Sequence, residues 1–254
     1  MENISSLNMF EASSVGDEQN KRLWVKGASL FIGQLNSLLQ TVKYQLETTN
    51  ISQFENENAE IFGQICKNNG TDKSTKHDYH ILYSHIFNEL GINNKLNILE
   101  IGLGTTNPTL ISNMGIQGRT GASLYSFRNY LPHANIYGCD IDTASLFNED
   151  RIRTCYVDQL NLTSFCNIKH SFGDIKYDLI IDDGLHAIGA NFNTLLFALE
   201  NVNDNGWIVI EDIEKIDNWR AIMYILTKQK NFKIWYVISK YAQLVCIKKI
   251  SPEE

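Results

Sequence analysis

The stretch Asn97-Ile-Leu-Glu-Ile-Gly-Leu-Gly104 decides the fold of this chain. Its apolar positions run directly into two glycines, which is the pattern of a buried strand that ends in a tight turn. A second apolar segment, Asn135-Ile-Tyr-Gly-Cys-Asp140, ends in an acid. Glycines after one parallel strand let the backbone approach a ligand, and a carboxylate after the next accepts hydrogen bonds from ribose hydroxyls. The two stretches predict a nucleoside site containing Gly102, Gly104 and Asp140.

The residue at position 107 bears on the identity of the nucleoside. A dinucleotide site usually has a third glycine there, which packs the helix and seats a pyrophosphate at its N-terminus. This chain has Asn107 instead. The sequence therefore favours S-adenosylmethionine, a nucleoside without phosphates, over NAD. A Gly-x-Gly turn by itself is often purely structural, so the prediction depends on its combination with Asp140.

Bulk composition narrows the class of protein. The 254 residues suit one α/β domain with an appendage, and 22 basic against 29 acidic residues give no sign of a nucleic-acid surface. The five cysteines form no Cys-x-x-Cys pair, which indicates a reduced protein. The N-terminal residues do not resemble a signal peptide, and no apolar run approaches the roughly 18 residues of a membrane span. We expect a cytoplasmic protein without a membrane partner.

Residues 1–66 differ from the rest of the chain. Glycines are few there, and apolar residues recur at helical spacing: Leu30, Phe31, Leu35, Leu38, Leu39, Val42 and Leu46. The pattern predicts a helical appendage with a polar tip at residues 47–58. Such an appendage either caps the sheet or forms a subunit interface in a homo-oligomer, and both alternatives stay open.

Residues 67–254 alternate between predicted strands and helices, which indicates a mostly parallel sheet with helices on both faces. The strands are expected at residues 97–102, 135–140, 153–157, 177–182, 206–211, 232–238 and 242–249. Only Ser239-Lys-Tyr-Ala separates the last two, so they must form an antiparallel hairpin. These features match the seven-stranded, Rossmann-like sheet of class I methyltransferases. An insert at residues 105–120, either a lid or a surface loop, precedes a helix expected at residues 122–130.

Acidic residues concentrate at the ends of two predicted strands. Asp182, Asp183 and His186 follow one strand, and Glu211 and Asp212 follow the next. Because the carboxyl ends of parallel strands meet at one crevice, these acids would repel one another unless a cation lay between them. Oxygen ligands suit Mg²⁺, Mn²⁺ or Ca²⁺ better than zinc. The alternatives are that Asp182 only caps a helix and that Glu211 and Asp212 form a solvated turn.

His186 and Asp158-Gln159 complete the predicted site. His186 lies beside the acids, where it can accept the proton of a hydroxyl as a methyl group arrives. The alternative is a histidine that braces a loop through a backbone carbonyl. Asp158 and Gln159 follow the third strand candidate and are expected near the adenine.

Taken together, these motifs resemble the metal-dependent sugar O-methyltransferases typified by the mycinamicin and macrocin enzymes. The resemblance covers residues 67–220 and lies in Gly70-Thr-Asp-Lys, His77-Asp-Tyr, Leu99-Glu-Ile-Gly-Leu-Gly104, Gly121-Ala-Ser-Leu124, Tyr137-Gly-Cys-Asp140, Asp158-Gln159, Asp182-Asp-Gly-Leu-His186 and Ile210-Glu-Asp212. The last two motifs are the specific ones, and the glycine turn is shared more widely.

The resemblance implies roles for individual residues. It implies Asp183, Glu211 and Asp212 as ligands of Mg²⁺ or Mn²⁺, and His186 with Asp183 as the catalytic residues. The residues expected at S-adenosylmethionine are Glu100, Gly102, Gly104, Asp140, Ile141, Asp158, Gln159 and Asp182. Residues 1–66 are shorter than the auxiliary domain of the macrolide enzymes, which argues against a macrolide acceptor. The chain also resembles methyltransferases of bacterial polysaccharide clusters, and this resemblance implies a nucleotide-linked sugar or heptose as the acceptor.

Three rival functions remain. The same motifs would serve a methyltransferase that acts on a catechol-like or phosphoramidate acceptor, because a catechol also chelates a metal. A non-catalytic S-adenosylmethionine-binding partner is disfavoured by the presence of both a base and metal ligands. An NAD-dependent dehydrogenase is disfavoured by Asn107.

Overall fold

An eight-stranded sheet forms the centre of the computed structural model, which describes residues 18–39 and 47–251. The strands are β1 (Thr48–Asn50), β2 (Asn97–Ile101), β3 (Asn135–Asp140), β4 (Ile152–Tyr156), β5 (Tyr177–Asp182), β6 (Val202–Ile210), β7 (Phe232–Ile238) and β8 (Gln243–Lys249). The helices are α1 (Glu18–Leu39), α2 (Ala59–Asn69), α3 (Tyr79–Leu90), α4 (Ala122–Tyr130), α5 (Cys166–Phe172), α6 (Ile188–Asn201) and α7 (Arg220–Thr227). The predicted alternation of strands and helices is confirmed.

The order of the strands fixes where a ligand can bind. The sheet reads β1-β7-β8-β6-β5-β2-β3-β4, and β8 is antiparallel to both of its neighbours, β6 and β7, while the other pairings are parallel. The predicted C-terminal hairpin is therefore confirmed. From β2 the chain proceeds outward to β4 and then returns to place β5 on the other side of β2. This reversal opens a crevice at the carboxyl ends of β2 and β5, where open α/β sheets bind ligands.

The prediction of seven strands was wrong by one. Residues 48–50 form β1, which pairs in parallel with the edge strand β7, with Thr48 opposite Tyr236. The sequence Thr-Thr-Asn is short and lacks apolar alternation, so only the open edge of β7 makes it a strand. Residues 47–58 were expected to form a polar tip, but Ile51 and Phe54 within this segment are buried.

Alternating residues of the central strands face two apolar layers. Ile98 belongs to the core beneath α2, α3 and α4, whereas its neighbour Leu99 belongs to the core beneath α5, α6 and α7. A sheet covered on both faces needs strands that are apolar throughout, and this explains the continuous apolar run in β2. The resulting rigid sheet holds the loops at its carboxyl edge in fixed positions.

Helix α1 packs on α6 and α7. The side chain of Asn36 is buried, and its Oδ1 accepts a hydrogen bond from the Ala221 backbone amide at 3.0 Å. The appendage thus packs on two helices of the chain, while Leu30 and Phe31 are 64% and 60% exposed. The choice between a cap on the sheet and a subunit interface stays a prediction. Of the apolar positions predicted for this region, Val42 and Leu46 lie outside the described residues.

Two further expectations concern the chain as a whole. The domain boundary at residue 66 stays a prediction, and α2 runs across that position. In residues 18–39 and 47–251, each helix is too short or too polar to cross a membrane.

Candidate active site

A cleft of about 710 Å³, which includes space open to solvent, lies at the carboxyl ends of β2, β3 and β5. It is lined by Ile101, Gly102, Gly104, Thr105, Leu110, Ile111, Ser112, Cys139, Asp140, Ile141, Val157, Asp158, Gln159, Leu160, Asp183, Gly184 and Leu185. Most of the residues predicted for the cofactor thus meet in one cleft.

Gly102 packs directly against the loop that follows β5. Its φ is +100°, and a Cβ atom built on it would lie 2.1 Å from the carbonyl oxygen of Asp183. The loop is also tied to β2, because the amide of Asp183 donates to the carbonyl of Ile101 at 2.8 Å. Only glycine satisfies both the backbone angle and the close approach at this position. The glycine turn therefore serves the packing of the acidic loop as well as the cleft.

Gly102→Ala should destabilise the protein more than Gly173→Ala. Both glycines have a positive φ near +100°, but a Cβ on Gly173 would meet no atom within 4 Å. The backbone conformation alone should cost about 1 to 3 kcal/mol at either position. At Gly102, overpacking should add roughly another 1 to 3 kcal/mol. The measurement is the free energy of unfolding in denaturant, and equal losses for the two variants would contradict the close approach at Gly102.

Asp140 is held by the backbone at the end of β3. Its Oδ2 accepts a hydrogen bond from the Leu103 amide, and its Oδ1 accepts one from the Asp142 amide, both at 2.8 Å. The residue is only 7% exposed, and burial raises the pKa of its carboxyl above the ordinary value. The two amides fix this carboxylate in the cleft, as a ribose-binding acid requires.

Gln159 and Asp182 form a buried brace behind the cleft. The Gln159 amide donates to Asp182 Oδ1 at 2.8 Å, and its Oε1 accepts from the Leu185 amide at 2.8 Å. Asp182 is 0% exposed and also accepts from the Asn191 side chain at 3.1 Å. Asp182 thus joins the loop after β5 to helix α6. Gln159 lines the cleft as predicted, whereas Asp182 lies outside the lining of the cleft in the described part of the chain.

Glu100 lies deeper still. It is 0% exposed, accepts a hydrogen bond from the Ser123 hydroxyl, and has one oxygen 3.4 Å from the ammonium of Lys73. Burial raises its pKa to about 7, with Lys73 opposing the shift. Within the described residues, Glu100, like Asp182, is not part of the cleft lining, so the structure separates both from the six cofactor residues that line the cleft.

Lys73 provides a buried positive charge for the acidic loops. Its side chain is 1% exposed, and its Nζ donates to Asp183 Oδ2 at 2.8 Å and to the two Glu211 oxygens at 2.8 and 2.7 Å. Burial opposes the ammonium charge, but the carboxylates of Asp183, Glu211 and Glu100 outweigh it and hold the pKa of Lys73 well above its ordinary value. The Tyr83 hydroxyl also donates to Glu211. Both oxygens of Glu211 are therefore engaged in the interior.

Asp183, His186 and Asp212 form the open side of the same cluster. Each side chain offers one atom that could bind a metal ion, and these three atoms lie within 4.8 Å of one another. His186 Nε2 lies 3.9 Å from Asp183 Oδ1 and 3.6 Å from Asp212 Oδ2. The three side chains are 26 to 29% exposed, and Asp183 also lines the cleft. Burial raises the pKa of the Asp183 carboxyl, but the charges of Lys73 and His186 outweigh it, so the pKa lies below its usual range.

The backbone at this cluster is strained. Among residues 18–39 and 47–251, four non-glycine residues have a positive φ, and two of them are His186 at 55° and Asp212 at 51°. Such conformations cost roughly 1 to 3 kcal/mol each and persist where the surrounding structure enforces them. Both strained residues direct side chains into one cluster, so the strain accompanies the assembly of that cluster.

The chemistry of this cluster fits a hard divalent cation. Three carboxyl groups, from Glu100, Asp183 and Glu211, contact the ammonium of Lys73, and Asp212 lies beside Asp183 on the open side. Burial raises the pKa of the Glu211 carboxyl well above its ordinary value, as it does for Glu100. The oxygens of Asp183 and Asp212 face solvent and have the donor type that Mg²⁺ and Mn²⁺ prefer. Glu211 is the least accessible of the three predicted ligands, at 1% exposed.

Part of the insert at residues 105–120 lines the cleft. Thr105, Leu110, Ile111 and Ser112 line the cleft, and the Ser112 hydroxyl donates to the Gly184 carbonyl at 3.0 Å. The choice between a lid and a surface loop stays a prediction, although part of the insert lines the cleft. The helix predicted after it begins and ends as expected, at Ala122 and Tyr130.

Sequence reasoning missed the groups that hold the acids. Lys73 lies in the Gly70-Thr-Asp-Lys motif, but its role was not predicted. The hydroxyls of Tyr79 and Tyr83 donate to Asp212 and Glu211, a role that the motifs did not indicate. The two tyrosines are four residues apart on α3 and therefore share one helix face, and that spacing was an available signal.

Known proteins similar to this chain include several sugar methyltransferases. The chain is 31% identical over 156 residues to the 8-demethyl-8-(2-methoxy-alpha-L-rhamnosyl)-tetracenomycin-C 3'-O-methyltransferase of Streptomyces olivaceus, which covers 59% of this chain and 36% of the relative. It is 35% identical over 122 residues to the mycinamicin VI 2''-O-methyltransferase of Micromonospora griseorubida, covering 48% of this chain and 28% of the relative. The chain thus spans about a third of the length of these relatives. No protein-family model matches.

The comparison of structures identifies the fold. The MycE methyltransferase of the mycinamycin biosynthetic pathway, solved in complex with Mg and SAH, superimposes with a TM-score of 0.60 and 22% identity. The superposition covers 76% of this chain and 55% of that chain. The predicted Rossmann-like methyltransferase fold is confirmed, and so is the resemblance to sugar O-methyltransferases.

Proposed function

We propose that this chain is an O-methyltransferase that transfers the methyl group of S-adenosylmethionine to a sugar hydroxyl with the help of a bound divalent cation. One observation carries the proposal: Asp183 belongs both to the nucleoside cleft, with Gly102 and Asp140, and to the acidic cluster with His186 and Asp212. A methyl donor in the cleft would therefore adjoin an acceptor held at the cluster. The names of the curated relatives support the same reaction.

The composition of the cleft supports S-adenosylmethionine as the cofactor. In the part of the chain that the structure describes, its lining includes neither lysine nor arginine. A dinucleotide would bring two phosphates, which proteins bind with basic side chains or exposed helix N-termini. Asp140 would accept from the ribose hydroxyls, and Asp158 and Gln159 would lie near the adenine. The solved relative binds SAH, the product form of this cofactor.

The proposed chemistry follows from the weakness of the nucleophile. An alkyl hydroxyl has a pKa far above 7, and a divalent cation bound at the cluster would lower that pKa. Asp183 and Asp212 would hold the cation, together with Glu211 if it shares its oxygens with Lys73. His186 would accept the hydroxyl proton while the oxygen forms its bond to the methyl carbon. The electron pair of the carbon–sulfur bond would stay on sulfur, so the product would be S-adenosylhomocysteine with an uncharged sulfur.

Asp140→Ala should weaken the binding of S-adenosylhomocysteine by about 10- to 100-fold, since a hydrogen bond to a charged group contributes roughly 1.5 to 3 kcal/mol. The measurement is isothermal titration calorimetry with the unmodified protein and with Asp150→Ala as controls. Asp150 is a suitable control because its side chain is 89% exposed. An unchanged affinity for Asp140→Ala would remove this residue from the ribose site.

The proposal also specifies the molecule to which the acceptor sugar is attached. We propose a nucleotide-linked sugar or heptose for a bacterial polysaccharide, whereas the name of the tetracenomycin relative describes a rhamnosyl group on tetracenomycin C. A panel of nucleotide-linked sugars, rhamnosyl and deoxysugar glycosides, and catechols separates these acceptors when methyl transfer is measured for each. Transfer to nucleotide-linked sugars supports our choice. Transfer only to aglycone glycosides overturns it while leaving the sugar methyltransferase, and transfer only to catechols overturns both.

A further inference from the structure

The two exposed carboxylates of the cluster are held in the same manner. Asp183 uses Oδ2 to accept from the buried Lys73 ammonium at 2.8 Å, and its Oδ1 is the oxygen nearer to His186 Nε2. Asp212 uses Oδ1 to accept from the Tyr79 hydroxyl, and its Oδ2 is the oxygen nearer to His186 Nε2. Each carboxylate therefore has one oxygen anchored in the interior and one oxygen directed toward the open side.

Lys73 differs from Tyr79 because it joins several acids at once. Its ammonium contacts Asp183, both oxygens of Glu211, and Glu100, which come from the ends of three neighbouring strands, β5, β6 and β2. Lys73 is itself 1% exposed and lies within a short 3₁₀ turn, Asp72–Ser74, at whose start the Thr71 side chain accepts a hydrogen bond from the Lys73 amide. A charge fixed in this way cannot follow the acids if they move, and so it determines where they lie.

We propose that Lys73 is a positioning residue that preassembles the divalent cation site by fixing the orientation of Asp183. This inference rests on the proposed function, because it concerns the cation that the reaction would use. An ammonium in contact with acids could also act only by competing with a divalent cation for their charge. The two roles predict opposite changes in cation affinity when the ammonium is removed, so cation affinity separates them.

The test measures the binding of Mn²⁺ to the full chain by electron paramagnetic resonance, which detects the free ion. It compares the unmodified protein with two single variants and one double variant. Lys73→Met should raise the dissociation constant for Mn²⁺ by about 10- to 100-fold, the usual effect of losing a group that orients a metal ligand. The affinity for S-adenosylhomocysteine should change less than about twofold. Lys76→Met, an exposed lysine three residues further on, should leave both affinities unchanged.

A second variant guards against a failure to fold, because removing Lys73 alone leaves buried carboxylates without a counter-charge. Lys73→Met/Glu100→Gln removes one charge of each sign, and Glu100 lies away from the open side of the cluster at 0% exposed. This double variant should bind S-adenosylhomocysteine and still bind Mn²⁺ at least tenfold more weakly.

Two results would overturn the inference, and they are distinguishable. Mn²⁺ affinity that is unchanged or tighter in the double variant would assign Lys73 a structural or competing role and leave the proposed function intact. Failure of the unmodified protein to bind Mn²⁺, with S-adenosylhomocysteine still bound, would overturn the cation part of the proposed function and the role of Lys73 with it.

Discussion

Replacement of His186 by alanine should reduce methyl transfer by about 100- to 10,000-fold, the usual contribution of a general base. In the described structure, the ring lies between the open oxygens of Asp183 and Asp212, at 3.9 and 3.6 Å. A hydroxyl held at those carboxylates would therefore be within reach of Nε2. Because His186 lies outside the lining of the cleft in the described residues, the cofactor should still bind.

The measurement combines turnover, S-adenosylhomocysteine affinity and Mn²⁺ affinity in one variant. His133→Ala is the matched control, since His133 is exposed and should give the turnover of the unmodified protein. Loss of turnover with both affinities retained identifies His186 as the base. Loss of Mn²⁺ affinity would make His186 a metal ligand instead, and unchanged turnover would exclude both roles.

Asp183→Asn should lower cation-dependent methyl transfer by at least about 100-fold. The substitution removes a negative charge that pairs with Lys73 and that would bind the proposed cation. Loss of a group that only orients a metal ligand already reduces metal affinity or activity by about 10- to 100-fold, so loss of a ligand should cost more. Asparagine keeps the size of the side chain, so the cleft that Asp183 helps to line should keep its shape.

Asp174→Asn provides the control for this substitution, because Asp174 is an exposed acid paired only at the surface with Lys169. Turnover is measured across a range of Mg²⁺ concentrations for both variants. An Asp183→Asn enzyme with full activity at low Mg²⁺ would eliminate the carboxylate cluster as the cation site. An enzyme rescued by high Mg²⁺ would show weakened binding, as the proposal requires.

The central fold was predictable because its strands are buried on both faces. A strand such as β2 is apolar throughout and ends in glycines, so both its position and its end are visible in the sequence. Strand β1 was not predictable, because Thr48–Asn50 carries no strand pattern and depends on the free edge of β7. Tertiary context outweighs local propensity at such an edge.

The site was predictable to the extent that topology determines it. The carboxyl ends of parallel strands must meet, so Asp140, Asp183, Asp212 and His186 could be brought together from sequence alone. The separate roles of the acids could not be predicted from the sequence, because each role depends on which hydrogen-bond donor each carboxylate oxygen contacts. Glu100 and Asp182 lie at the same strand ends as the cleft residues, yet both are 0% exposed. Glu100 pairs with Lys73, and Asp182 accepts a hydrogen bond from Gln159.

The most direct test of the proposed function is methyl transfer from labelled S-adenosylmethionine to a sugar acceptor, first with Mg²⁺, then with EDTA, and then with Mg²⁺ restored. We expect transfer with Mg²⁺, its loss in EDTA, and its return when the cation is added back. Transfer that is indifferent to EDTA would contradict the cation-assisted reaction at Asp183 and Asp212, and no transfer to any sugar, with the cofactor bound, would contradict the sugar methyltransferase itself.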